Sequence, residues 1–204
     1  MNRPIAGVLA GLAIILGAGV FAHTAVRALV SAPDSVGTST PPSRAATLAP
    51  RGVPARLVIP VLGIDAPVEA VGVNAAGDMR APSNFVDTAW YEYGPEPGAR
   101  GSAVIDGHLD NGLGLAGVFR HLAEIPLGAD IYVETASSTR THFVVEATST
   151  YPYQAVPLGE LFNRADEPRL NLITCDGAFL PTGRTYDHRL VVWAVLATST
   201  AQAG

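Results

Sequence analysis

A thiol, an imidazole and a guanidinium together suffice for acyl transfer. A thiolate attacks a carbonyl, an imidazolium protonates the departing amine, and a permanently charged guanidinium steadies the oxyanion. The chain supplies all three. Cys175, its one cysteine, closes the run Asn171-Leu172-Ile173-Thr174; His108 lies upstream, just past the apolar run Ala103-Val104-Ile105; Arg189 follows fourteen positions after the cysteine. One cysteine forbids an internal disulfide, so the thiol is an inert buried side chain, half of an intermolecular bond, or a nucleophile. No step of such chemistry needs a metal or cofactor, and none is expected. With reference pKa values of about 8.5 and 6.5, independent titration near pH 7 leaves on the order of one per cent of molecules as the thiolate-imidazolium pair. An enzyme relying on that pair unshifted is slow.

Several neighbours of these residues carry charge. Asp110, two residues after His108, is a candidate to orient the imidazole, or else a turn-forming aspartate. Asp106 reaches the face of His108 only if the strand stays extended through Gly107. Asp176 would raise the thiol's pKa if close, but fits a loop-capping role better. Arg184 competes with Arg189. The latter is preferred because it directly precedes the apolar run Leu190-Val191-Val192-Trp193. His188, next to it, then points to the opposite face.

The elements that must hold these groups are mostly short strands. Runs at 56–60, 66–71, 103–105, 131–134, 142–145, 170–174 and 190–195 are β-rich and bounded by glycine and proline. Only 117–124 and 158–163 read as helical. Many strands with few helices predict an all-β barrel or sandwich. His108 and Cys175 each then fall at a strand end, where a rigid scaffold can present side chains.

The first third has a different texture. Ile5 to Ala22 is a run of eighteen uncharged residues, about 27 Å as a helix against a hydrocarbon core of about 30 Å. Residues 1–30 therefore read as a membrane anchor or signal. Val20-Phe21-Ala22 suits a signal peptidase, but the length of the run favours retention as an anchor. Arg3 before it and Arg27 after it nearly balance, and the orientation expected has the N-terminus inside and the remainder exported. Residues 31–54, rich in proline, serine, alanine and threonine, read as a flexible tether. A folded domain is expected over 55–204. Of 204 residues 48% are apolar, enough for a core, and the net charge of −5 with no basic cluster argues against a nucleic-acid partner.

The ordered set Gly107-His108, Leu172-Ile173-Thr174-Cys175 and Arg189 resembles the sortases, membrane-tethered cysteine transpeptidases of Gram-positive bacteria. Arg56-Leu57-Val58-Ile59-Pro60, Trp90-Tyr91, Pro97-Gly98 and Gly101-Ser102-Ala103-Val104-Ile105 further resemble the actinobacterial branch called class F. The resemblance covers the chain from Arg56 to Val195. It implies a closed β-barrel of about eight strands with short helices in the loops, His108, Cys175 and Arg189 as catalytic residues, and Thr174 as an aid to positioning substrate. It also implies the reaction: cleavage of a Leu-Pro-x-Thr-Gly-like sorting signal after threonine, an acyl group held on Cys175, and transfer to an amine such as that of a cell-wall precursor. The partners are then secreted proteins that carry the signal, and the location is the cell membrane, single-pass, with the catalytic domain outside. Two alternatives stand beside this reading. A tethered peptide-binding module without turnover would keep the groove alone. An L,D-transpeptidase would carry a Ser/Thr-His-Gly segment before its cysteine, which Cys175 lacks. The acidic residues Glu124, Asp130, Asp166 and Glu167 are too scattered to predict the calcium site found in some sortases.

Overall fold

The computed structural model describes residues 52–111 and 114–198. The expected anchor and nearly all of the expected tether lie outside the described residues, and Pro54 already belongs to the first strand. Eight strands follow in order: β1 Pro54–Ile59, β2 Ile64–Val71, β3 Thr88–Tyr91, β4 Gly101–Gly107, β5 Asp130–Thr135, β6 Arg140–Pro152, β7 Pro168–Leu180 and β8 Thr185–Leu196. They close into a barrel in the order β1-β2-β3-β4-β7-β8-β6-β5, and β5 pairs back onto β1. The pairs β2–β3 and β4–β7 are parallel and the rest antiparallel.

Alternation along the strands fills the barrel. Leu57 and Ile59, Ile131 and Val133, and Leu170 and Leu172 all point inward and are buried, joined by Phe119 and Leu122 from the β4–β5 connection. Each such side chain contributes about 1.5–3 kcal/mol by leaving water. The opposite residues of β4, β7 and β8 face out, and three of them, Val104, Val191 and Trp193, form a second apolar cluster with Leu161. Leu161 belongs to α1, Leu158–Asn163, the one α-helix among the described residues. Its terminal carbonyls are met by the wall beneath: Asn171 Nδ2 donates to Leu161 O at 2.7 Å, Ser102 Oγ to Glu160 O at 3.3 Å, and the Ser102 amide to the Arg164 carbonyl at 3.2 Å. The helix is thereby held against the outside of the barrel.

The barrel class and α1 agree with the sequence reading, whereas other details differ from it. β3 escapes a search for alternation because Thr88, Ala89 and Trp90 are all buried. The helical reading of 117–124 yields only turns and one 3-10 turn, Leu122–Glu124. Phe119 and Leu122, three apart, both drive into the barrel, and Pro126 stops further winding. Nor does Cys175 end its strand. β7 continues to Leu180 through an irregularity between Asp176 and Phe179, paired with the polar run Thr185–His188 that the sequence reading left outside β8. Gly177 makes this continuation possible. Its φ of +80° is one that side-chain-bearing residues rarely adopt, and an added Cβ would strike Asp187.

Candidate active site

The three candidate residues come together on the outer wall of the barrel. Cys175 on β7 and Arg189 on β8 are direct cross-strand partners, two places along from the Ile173–Val191 pair and four from Asn171–Trp193. Directly opposed residues share a face. His108 immediately follows β4, which pairs with β7 on the other side. All three line one groove of about 550 Å³. Its other end is apolar, walled by Leu161 and Phe162 of α1, by Ile173 and Val156, and by Met79 and Ala81 from the β2–β3 connection.

Local chemistry fixes each side chain. The His108 Nε2–H donates to the Pro82 carbonyl at 3.1 Å, and the Phe85 ring lies 4.7 Å from the imidazole, centroid to centroid. A carbonyl can only accept, so the proton on Nε2 is spoken for and Nδ1 is the nitrogen left to exchange one. Gly107 ahead of it has no room for a side chain: a Cβ would lie 2.5 Å from the Phe119 ring. Arg189 is folded along its own strand. Nη1 donates to the carbonyls of Tyr186 at 3.0 Å and His188 at 2.8 Å, Nη2 donates to Thr185 Oγ1 at 2.8 Å, and the guanidinium stands 5.7 Å from the Tyr153 ring centroid. Arg184, by contrast, sits exposed in the β7–β8 turn with φ of 49°, and His188 bonds to Asp187.

Cys175 is half-buried, and that burial pushes its thiol above the ordinary range. The Arg189 guanidinium and the Tyr186 amide pull it back, while Asp106 and Asp110 oppose them. The resting site therefore holds a neutral thiol at pH 7, and its thiolate fraction falls below that of a free cysteine.

The neighbouring residues fall into different places. The Asp110 carboxylate accepts the Tyr186 hydroxyl, 2.7 Å from each oxygen, and pairs with Arg120 at 3.3 Å. Among the described residues no hydrogen bond joins it to the His108 ring, so it ties the loop after β4 to β8 instead of orienting the imidazole. That bond, with burial, pushes the Tyr186 phenol up to about 12 and removes it as a proton donor at neutral pH. Thr174 points into the barrel, away from the groove, and its hydroxyl donates to the Gly107 carbonyl at 2.7 Å. It braces the backbone beside His108 and has no access to substrate. Replacing it with valine, which keeps the shape, is expected to cost about 1–2 kcal/mol in urea unfolding. An unchanged midpoint would show the bond to be inessential. Asp176 accepts Thr150 Oγ1 at 3.0 Å, which ties it to β6.

Asp106 is the residue whose importance the sequence understated. β4 remains extended through Gly107, so Asp106 shares the groove with His108. Burial pushes its carboxyl up to about 6, against the opposing pull of His108, the Gly107 amide and Arg189. A carboxyl raised in the folded state favours folding below its unfolded pKa of about 4 and loses that contribution as pH climbs through about 6. Asp106→Asn has no charge to bury. It is expected to be more stable than the wild type by on the order of 2 kcal/mol at pH 7.5, with the difference gone below pH 4. Thermal melts at the two pH values check this, and a variant less stable at pH 7.5 would contradict it.

A family model described as the sortase domain matches residues 57–197, which takes in every strand but the first residues of β1 and all the groups above. The chain belongs to the sortase family. Sortases are cysteine transpeptidases, and solved members share this fold. Sortase A from Corynebacterium diphtheriae superposes with a TM-score of 0.55 at 20% identity, over 76% of this chain and 65% of that one. Streptococcus agalactiae sortase C1 gives 0.54 at 21% identity, over 72% and 69%, and sortase C from Clostridium perfringens SM101 gives 0.52 at 16%, over 74% and 73%. This sortase thus spans about two thirds of the length of the Corynebacterium protein. Among curated proteins no significant match was found.

Proposed function

We propose that this protein is a membrane-tethered cysteine transpeptidase of class F type, which cleaves a Leu-Pro-x-Thr-Gly-like signal after threonine and passes the acyl group to an amine. The observation that carries this reading is the direct pairing of Cys175 with Arg189 in the groove that His108 also lines. In acylation the Cys175 thiolate attacks the threonine carbonyl, the Arg189 guanidinium holds the oxyanion, and the His108 imidazolium gives its proton to the glycine nitrogen as the C–N bond breaks. In deacylation an amine attacks the thioester, His108 accepts its proton, and the thiol is restored. The apolar end of the groove suits the leucine and proline of such a signal. Class F membership rests on the fragments at 56–60, 90–91, 97–98 and 101–105. Membrane attachment and an exported catalytic domain rest on the uncharged run from Ile5 to Ala22.

A sorting-signal peptide incubated with a primary amine tests the reaction. Mass spectrometry is expected to find the peptide's N-terminal half joined to the amine in amide linkage. Intact peptide after prolonged incubation would contradict the reading.

A further inference from the structure

Asp106 carries a charge that the acyl-transfer steps above do not use. It lines the same groove from β4, on the side of β7 away from Arg189, opposite Ile173 on β7 and Ala89 on β3. Among the described residues no salt bridge reaches it, and the neighbouring Gly107 amide is the group that favours its charged form besides His108 and Arg189. Arg189 attracts it, but the three hydrogen bonds of its Nη1 and Nη2 go to Tyr186, His188 and Thr185. A second carboxylate, Asp78, lines the same groove from the β2–β3 connection. Two carboxylates there share the groove with the Arg189 guanidinium and the His108 imidazole. An unpaired carboxylate partly withdrawn from water is relieved by a cation brought to it.

We propose that Asp106 is a specificity-determining residue that binds a cationic group of the substrate, an ammonium or guanidinium, beside Cys175. This rests on the transpeptidase reading and goes beyond it by naming a charge the substrate must carry. Two sources fit the chemistry: a basic side chain at the variable position of the sorting signal, and a second ammonium on the acceptor. Asp106 ionises through about pH 6, so the preference is strongest above that value and fades in acid. His108, Cys175, Arg189, Asp78 and Tyr153 face it in the groove, and Asp110 acts on the same thiol. Comparison with Asp106→Asn assigns the pH dependence to Asp106 among these groups.

Two arms separate the sources. In the donor arm, peptides with lysine or glutamine at the variable position compete for the full-length enzyme at fixed acceptor. In the acceptor arm, 1,3-diaminopropane competes with 3-aminopropanol at fixed donor. In one arm the cationic compound is expected to be favoured about tenfold in kcat/KM at pH 7.5, as one such charge pair in a partly desolvated groove provides. The ratio is expected to fall to about twofold or less at pH 5 and in Asp106→Asn, and to return in part in Asp106→Glu. Ratios below about threefold in both arms, or a preference that survives in Asp106→Asn, would overturn the assignment. Turnover of the glutamine peptide reports separately on the transpeptidase reading. If neither peptide were turned over that reading would fail, and equilibrium binding of the same two peptides to wild type and Asp106→Asn would still decide the cation preference.

Discussion

Cys175→Ala is expected to lower cleavage of a sorting-signal peptide by at least about 10³-fold, because the covalent route disappears with the sulfur and no other cysteine exists to replace it. The effect should fall on kcat. The groove that binds the peptide is built from α1, the β4–β7–β8 wall and the β2–β3 connection, none of which depends on the thiol. Cys175 is half-buried on the outer face and makes no contribution to the barrel core. Its truncation should therefore leave the melting temperature almost unchanged, and steady-state rates measured beside thermal melts separate loss of chemistry from loss of fold. Cleavage by Cys175→Ala within tenfold of the wild-type rate would show the nucleophile to be another group.

Arg189→Lys is expected to lower kcat/KM by about 10²-fold, the usual scale for losing a positioned oxyanion donor. The substitution keeps the charge and removes the fork. Arg189 satisfies two carbonyls and a hydroxyl through Nη1 and Nη2 of one planar group, which fixes where its remaining N–H bonds point. A lysine ammonium is a flexible point charge and reproduces none of that geometry. Arg189→Ala removes the charge as well and should push the thiol further up, since the guanidinium is the strongest influence holding it down. The sign gives a second readout. Alkylation of Cys175 requires the thiolate, so at pH 8 Arg189→Ala should react more slowly with iodoacetamide than the wild type. A lysine variant with wild-type kcat/KM would deny the guanidinium its part in the reaction.

How far the sequence revealed this site depended on whether the relevant relation was local. The two faces of β7 and β8 follow from period-2 alternation, so the sharing of a face by Ile173 and Cys175, and the divergence of Arg189 from His188, were legible once the strands were drawn. That Cys175 opposes Arg189 was not, because the register of the hairpin passes through an irregularity at Asp176–Phe179 that polar residues on both strands disguise as loop. The same holds for partners distant along the chain. Asp110 and Tyr186 stand 76 positions apart, and Thr174 and Gly107 stand 67 apart. Nothing in the spacing of either pair distinguishes a bond between them from two unrelated polar residues. As a result Asp110 looked like a partner for the neighbouring imidazole, and Thr174 looked like a group on the substrate side. Asp106 was a matter of one torsional choice. Extension through Gly107 sends it to the groove and a turn there would not, and the pairing of Gly107 with Thr88 on β3 carries the strand through that position.

Intact-protein mass spectrometry of the enzyme quenched in acid during turnover tests the whole scheme most directly. It should find a fraction of the protein heavier by the acyl half of the peptide, with the added mass mapped to Cys175, released by hydroxylamine and missing from Cys175→Ala. Cleaved peptide with no adduct at any time point, or an adduct mapped elsewhere, would contradict it.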